Sequence, residues 1–276
     1  MGQITATEVS KLRKATGAGM MDCKKALEET NGDFDKAIEV IRKKGQLIAN
    51  KRADREASEG VVIAKVSDDT RRGAIIVLNC ETDFVAKNER FIGFAQSILD
   101  EAITKNPADL DALKKLDMDG VSIEDKVVEQ IGVIGEKIDL SYYERLDAEK
   151  VIAYIHPGNK LAAMAGFNMK NPDPQIGKDV AMQIAAMNPV AIDKEDVPQD
   201  VIDKEIEIGK EQARREGKPE NLLEKIAMGK LGKFYRDSTL MNQEFIKDNK
   251  KTVRQFLQEY NKELTVTGFK RYSLTD

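Results

Sequence analysis

The chain has no tryptophan, one histidine and two cysteines among its 276 residues. Each shortage removes a class of function. Aromatics amount to 5%, too few for the stacking platforms of single-strand nucleic-acid binders. The net charge is −4, so the chain lacks the strongly basic surface that general nucleic-acid binding needs. No apolar run approaches the roughly 20 residues that cross a bilayer, and the N-terminus shows no charged-then-apolar signal pattern. Cys23 and Cys80 stand far apart without partner spacing. That argues against a zinc site or a disulfide framework and for reduced thiols in a cytoplasmic protein. No cofactor, no membrane contact and no direct nucleic-acid contact is expected.

Catalytic signatures are also missing. There is no G-x-S-x-G nucleophile elbow, no Walker-type loop, and no dinucleotide fingerprint after a strand. Gly17-Ala18-Gly19 is glycine-rich, but no strand precedes it and no phosphate-binding lysine follows, so it reads as a helix–helix turn. A hydrolase built on His156 would need a nucleophile beside it, and the spacing supplies none. The chain is expected not to be an enzyme.

Hydrophobic residues make up 41% and charged residues 33%, enough for real cores under a well-solvated surface. Residues 1–55 read as three short helices and a linker. Thr5-Ala6-Thr7-Glu8 is a capping box, Thr16 to Gly19 breaks the first helix, and Asn31-Gly32 stops the second. Asp33 caps the third, which is expected to end before Gly45, leaving a polar linker helix or hinge from Lys43 to Glu59. Two β-branched runs, Val61 to Val66 and Ala74 to Cys80, predict a hairpin with a polar turn through Asp68, Asp69 and Gly73. An amphipathic helix follows from Phe91 to Ile103, then a strand from Ile138. A second hairpin, turning at Pro157-Gly158-Asn159, is again followed by a helix through Val180 and Ile184. Hairpin-then-helix twice predicts an α+β fold with antiparallel sheets in two related halves, at 56–140 and 141–276. Within the second half, about 198–236, two highly charged helical segments with sparse apolar positions predict a projecting helical hairpin.

Three places stand out as contact surfaces. Met20 and Met21 are adjacent at a helix start, and neighbours on a helix point about 100° apart. Either one methionine faces a partner, for which its adaptable side chain is suited, or both complete a very small core. Phe84 follows Asp83 in a polar loop, where it either anchors in a partner pocket or covers the adjoining helix and hairpin. His156 ends a strand, as a structural or exposed residue or as a polar contact.

These segments carry a family likeness. LRKATGAGMMDCKKALEETNGDFDKAIEVIRKKG, from Leu12 to Gly45, and NCETDFVAKNERF, from Asn79 to Phe91, resemble the two signatures of the elongation factor Ts family. MQIAAMNP and the charged GKPENLLEKIAMGKLGKF extend the likeness over nearly the whole chain. Gln183 stands where some members carry histidine, and the sequence ends at Asp276, without the C-terminal helical module of some relatives. The resemblance implies a guanine nucleotide exchange factor that binds elongation factor Tu carrying GDP and promotes GDP release. It implies a ubiquitin-associated-like N-terminal module, with Arg13, Met20 and Met21 on the partner's nucleotide-binding domain. It places Thr82, Asp83, Phe84, Val85 and Ala86 in the exchange loop, with Asp83 and Phe84 beside the partner's Mg²⁺ and switch region. His156 falls in the half facing the partner's third domain. The charged hairpin matches a coiled coil that serves dimerisation in some members. The competing reading is a ubiquitin-associated-type adaptor that binds without accelerating nucleotide release.

Overall fold

A computed structural model of the chain describes residues 4–170 and 173–275. Thr5 caps α1 (Ala6–Thr16) through the expected box: its hydroxyl accepts from the Glu8 N–H while the Glu8 carboxylate accepts from the Thr5 N–H. Gly17, left-handed at φ 69°, ends that helix. α2 (Met20–Glu29) and α3 (Phe34–Arg52) follow, the latter capped by Asp33. Leu12, Cys23, Leu27 and Ala37 form a small core of their own among the three helices.

Next come β1 (Glu59–Val66), β2 (Arg72–Cys80), the single-turn α4 (Asp83–Ala86), α5 (Glu89–Lys105) and α6 (Leu110–Lys114). A small hairpin of β3 (Asp117–Met118) and β4 (Val121–Ser122) leads into α7 (Ile123–Ile134) and β5 (Ile138–Asp147). The pattern then recurs with β6 (Lys150–Ile155), β7 (Leu161–Phe167) and α8 (Pro174–Met187). α9 (Gln199–Arg215) and α10 (Leu223–Ser238) intervene before the small hairpin of β8 (Glu244–Phe245) and β9 (Asp248–Thr252). α11 (Val253–Tyr260) and β10 (Val266–Ser273) complete the order.

One plan is used twice. Each half is an antiparallel hairpin whose second strand takes a later third strand as neighbour, giving sheets β1-β2-β5 and β6-β7-β10. The fold is α+β. In β2, Ile76 and Leu78 point to α5 and α7, while Ile75 and Val77 point to Val151, Ala162 and Met164 of the second sheet. A strand covered on both faces needs an unbroken apolar run, which is what β2 has. The second sheet packs its other face on α8 and α11 through Phe167, Ile184 and Leu257. The two sheets are thus the inner layers and helices the outer ones.

Three expectations are corrected. α3 does not stop before Gly45 but runs to Arg52. Gly45 is where α7 crosses: a Cβ on Gly132 would lie 2.8 Å from the Gly45 Cα. Gly45 permits close approach and terminates nothing. Beyond it Ile48 and Ala49 pack on the core between the first sheet, α5 and α7, so of the two expected alternatives, linker helix or hinge, the segment up to Arg52 takes the helix, docked on the body. Gly73 is no turn residue; it pairs with Val66 inside β2, where a Cβ would fall 2.6 Å from the Met164 sulfur. The boundary expected at 140/141 falls inside β5, which pairs along its length with β2.

α9 and α10 pack on each other at Gly209 and Ala227, and neither contributes to the sheet-bearing cores. At their root the Val190 N–H donates to Ser238 and the Leu240 N–H to Ala191. No helix among the described residues is long and apolar enough to cross a membrane.

Candidate partner-binding surface

Phe84 owes its position to a single helical turn. Thr82 is the N-cap of α4, its hydroxyl accepting from the Val85 N–H at 3.4 Å. Within one turn successive side chains diverge by about 100°. Ala86 is buried and Val85 leans on the core between the first sheet, α5 and α7, so Phe84 is turned outward and is 82% exposed. Ala86 and Val85, named with the loop from the sequence, therefore support it from beneath; Ala86 offers no free surface. Asp83 is half-buried and paired with Lys87 at 2.6 Å. The hydrogen bond from Lys87 holds the Asp83 carboxyl below its ordinary value.

The root of this turn is gripped by two glutamates that sequence reasoning passed over. Glu136 Oε2 accepts from the backbone N–H of Glu81 at 3.1 Å and of Thr82 at 3.0 Å, and its Oε1 accepts from the Thr82 hydroxyl at 2.7 Å. Glu81 Oε1 accepts in return from the Lys137 N–H at 2.7 Å and from Arg52 at 2.6 Å; its Oε2 takes Arg55. Burial alone would raise the Glu81 pKa, but the Lys137 amide and the two guanidinium groups outweigh it and pull it down to about 2. A local signal existed: Gly135 caps the end of α7 at φ 80° and so presents Glu136 at a chain reversal. Its partner, 54 positions away in sequence, left no local trace. Beside the grip, Cys80 is buried; desolvation, then the nearby Glu136 charge, pushes its thiol up to about 12. It is no nucleophile at neutral pH.

The second hairpin brings its turn to the same neighbourhood. The Val62 N–H of β1 donates to the Asn159 carbonyl at 2.6 Å, and Lys160 pairs with Glu59 at 2.8 Å. Asp83 feels the charge of Lys160, and Lys87 that of Glu59. His156 ends the strand at this turn, exposed, with its Nδ1 2.9 Å from the Tyr154 hydroxyl. The Phe84 turn and the His156 turn thus share one charged surface.

Met20 and Met21 are both outside, 59% and 63% exposed, because Cys23, Ala26 and Leu27 fill the buried face of α2. With Val9, Ser10, Arg13 and Lys24 they line a shallow groove. This surface connects to the Phe84 turn through α3, whose last residue, Arg52, holds Glu81.

The family model described as Elongation factor TS matches residues 81–276. The chain belongs to the elongation factor Ts family. It is 54% identical over 276 residues to Elongation factor Ts of Christiangramia forsetii, covering 99% of this chain and all of that one. Elongation factor Ts of Porphyromonas gingivalis is 53% identical over 272 residues, 98% of each chain, and that of Cytophaga hutchinsonii 50% over 278 residues, all of each. The family match begins at Glu81 and takes in the Phe84 turn, Glu136 and His156; Arg13, Met20 and Met21 precede it.

Gln183 is buried. It donates to Gln243 and to the Glu244 carbonyl and accepts from the Ile246 N–H, tying α8 to the β8–β9 hairpin. Among the described residues no group of three or more His, Cys, Asp or Glu is placed to hold a metal ion.

Proposed function

We propose that the Asp83–Phe84 turn is the element through which this chain promotes release of GDP from elongation factor Tu. Family membership carries the activity: the chain is a guanine nucleotide exchange factor of translation elongation. The observation behind the residue assignment is Phe84 itself, a large aromatic held outward on a firmly rooted turn. Burying its ring in a partner is worth about 2–3 kcal/mol, enough to remodel a loop locally.

Exchange of this kind is linkage. A factor that binds the nucleotide-free partner more tightly than the nucleotide-bound one is itself weakened by nucleotide in the same ratio. No covalent bond is made or broken. In a GTPase the Mg²⁺ bridges phosphate oxygens to protein ligands, and disturbing that network removes a large local charge. In this reading Phe84 displaces a partner loop while Asp83, oriented by its hydrogen bond from Lys87, brings a negative charge toward the metal's surroundings. Thr82, Val85 and Ala86 fix the turn. Arg13, Met20 and Met21 add affinity on the partner's nucleotide-binding domain, and His156 meets its third domain.

The three N-terminal helices are read as a ubiquitin-associated-like module, and α9 with α10 as a coiled coil open to pairing with a second copy. The chain works in the cytoplasm, without direct nucleic-acid or membrane contact. The test is release of labelled GDP from elongation factor Tu with substoichiometric chain. Acceleration that Phe84→Ala removes supports the reading. Binding without acceleration points to an adaptor instead.

A further inference from the structure

A single turn of helix does not hold its own shape, so the orientation of Phe84 depends on what fixes α4. The Thr82 hydroxyl has one proton to give. It goes to Glu136 Oε1 at 2.7 Å. The oxygen is then left to accept from the Val85 N–H, the bond that caps α4. The other oxygen of Glu136 holds the N–H groups of Glu81 and Thr82, the last two residues before the turn. Without this carboxylate two part-buried backbone donors lose their acceptor and the hydroxyl is free to rotate out of its capping role.

We propose that Glu136 is a positioning residue for nucleotide exchange, setting the direction of Phe84 through Thr82 without touching the partner. Two further ties hold the carboxylate in place. Gly135 turns the chain at the end of α7. Lys137 is pinned by its N–H to Glu81 and by its ammonium to the carbonyls of Ala53 and Arg55 just beyond α3. The inference rests on Phe84 being the exchange element, because a side chain that does nothing needs no aiming. Small misplacements of a positioned group cost large factors in rate, so the effect belongs in the maximal rate of release more than in affinity.

The experiment is a double-mutant cycle on the full chain, read as release of fluorescent GDP from elongation factor Tu over a range of factor concentrations. Glu136→Ala is expected to lower the maximal rate about ten-fold and to move the half-saturating concentration less than about three-fold. In the Phe84→Ala background the same change is expected to alter the maximal rate less than two-fold. Glu136→Gln, which keeps an acceptor for only part of the set, should fall between. Equal losses in both backgrounds, or none in either while Phe84→Ala is slow, overturn the positioning role and leave the Phe84 reading intact. If Phe84→Ala releases GDP at the normal rate, both fail. Should Glu136→Ala melt below the assay temperature, Glu136→Gln runs the same cycle: a loss of about three-fold is expected in the parent background and less than about two-fold in the Phe84→Ala background, and equal losses in both overturn the positioning role.

Discussion

Gly45 of α3 and Gly132 of α7 meet with no side chain between them, at a crossing flanked by the Arg42–Glu129 ion pair. The contact is asymmetric. A Cβ on Gly132 would fall 2.8 Å from backbone, whereas one on Gly45 would meet its nearest atom, the Val128 carbonyl oxygen, at 3.4 Å. Gly132→Ala should therefore destabilise by about 1–3 kcal/mol through overpacking. Gly45→Ala should stay within about 1 kcal/mol of the parent, its tighter contact offset by helix propensity. Thermal melting of the two variants checks the order; equal costs would mean that the helices slide freely.

Phe84 and Phe91 lie seven positions apart with opposite burial, 82% against 2% exposed. Phe84→Ala should change stability by under about 0.5 kcal/mol while slowing GDP release strongly. Phe91→Ala should cost about 3–5 kcal/mol and leave release normal per folded molecule. Melting and release measured on both variants would show the two effects crossing over. An early-melting Phe84→Ala that still exchanges normally would remove Phe84 from the mechanism.

Glu81 gives the fold a pH dependence. Its pKa is lowered from 4.5 to about 2 in the folded chain, and its side chain is only 14% exposed. A depressed carboxylate stabilises fully above its unfolded pKa, and that contribution, on the order of 3 kcal/mol, fades as pH falls from about 4.5 toward 2. Glu81→Gln should be less stable than the parent at pH 7 and lose less on acidification. Denaturant titrations at pH 7, 4 and 3 test this; parallel curves for the two proteins would refute it.

Residues 199–237 form an appendage. Their buried positions, such as Ala213, Leu223 and Leu231, belong to none of the sheet-bearing cores, and Val190 and Ser238 already meet at the root. Replacing the segment by a short glycine-serine linker should leave the remaining fold within a few degrees of its original melting temperature. Loss of cooperative melting would show that the second sheet needs the hairpin.

Deleting residues 1–50 should act differently from what a flexible linker would predict. The cut removes Ile48, Ala49 and the Arg42–Glu129 contact from the body. The truncated chain is expected to melt several degrees earlier, as well as to bind its partner more weakly. An unchanged melting temperature would mean that the α3–α7 contact contributes nothing to the body.

Much of this was legible from local chemistry. The Thr5–Glu8 capping box, the Asp33 cap, the Pro157–Asn159 turn and the doubled hairpin-then-helix order all depend on residues within a few positions of one another, where propensity and periodicity act. The contact surface was legible only in outline. Sequence picked out Met20, Met21, Phe84 and His156 as unusual but left each with a buried or structural alternative.

What the sequence determined by itself was the main helices, the two hairpins each followed by a helix, the α+β class, and the family to which the chain belongs. Only the tertiary structure decided which way the ambiguous residues face and what holds them. Gly45 looks like a helix stop until α7 crosses it at Gly132, and Glu136 looks like one more surface acid until Thr82 arrives beside it. Steric approach and hydrogen bonding are short-ranged in space, so their consequences for residues dozens of positions apart exist only once the chain has folded.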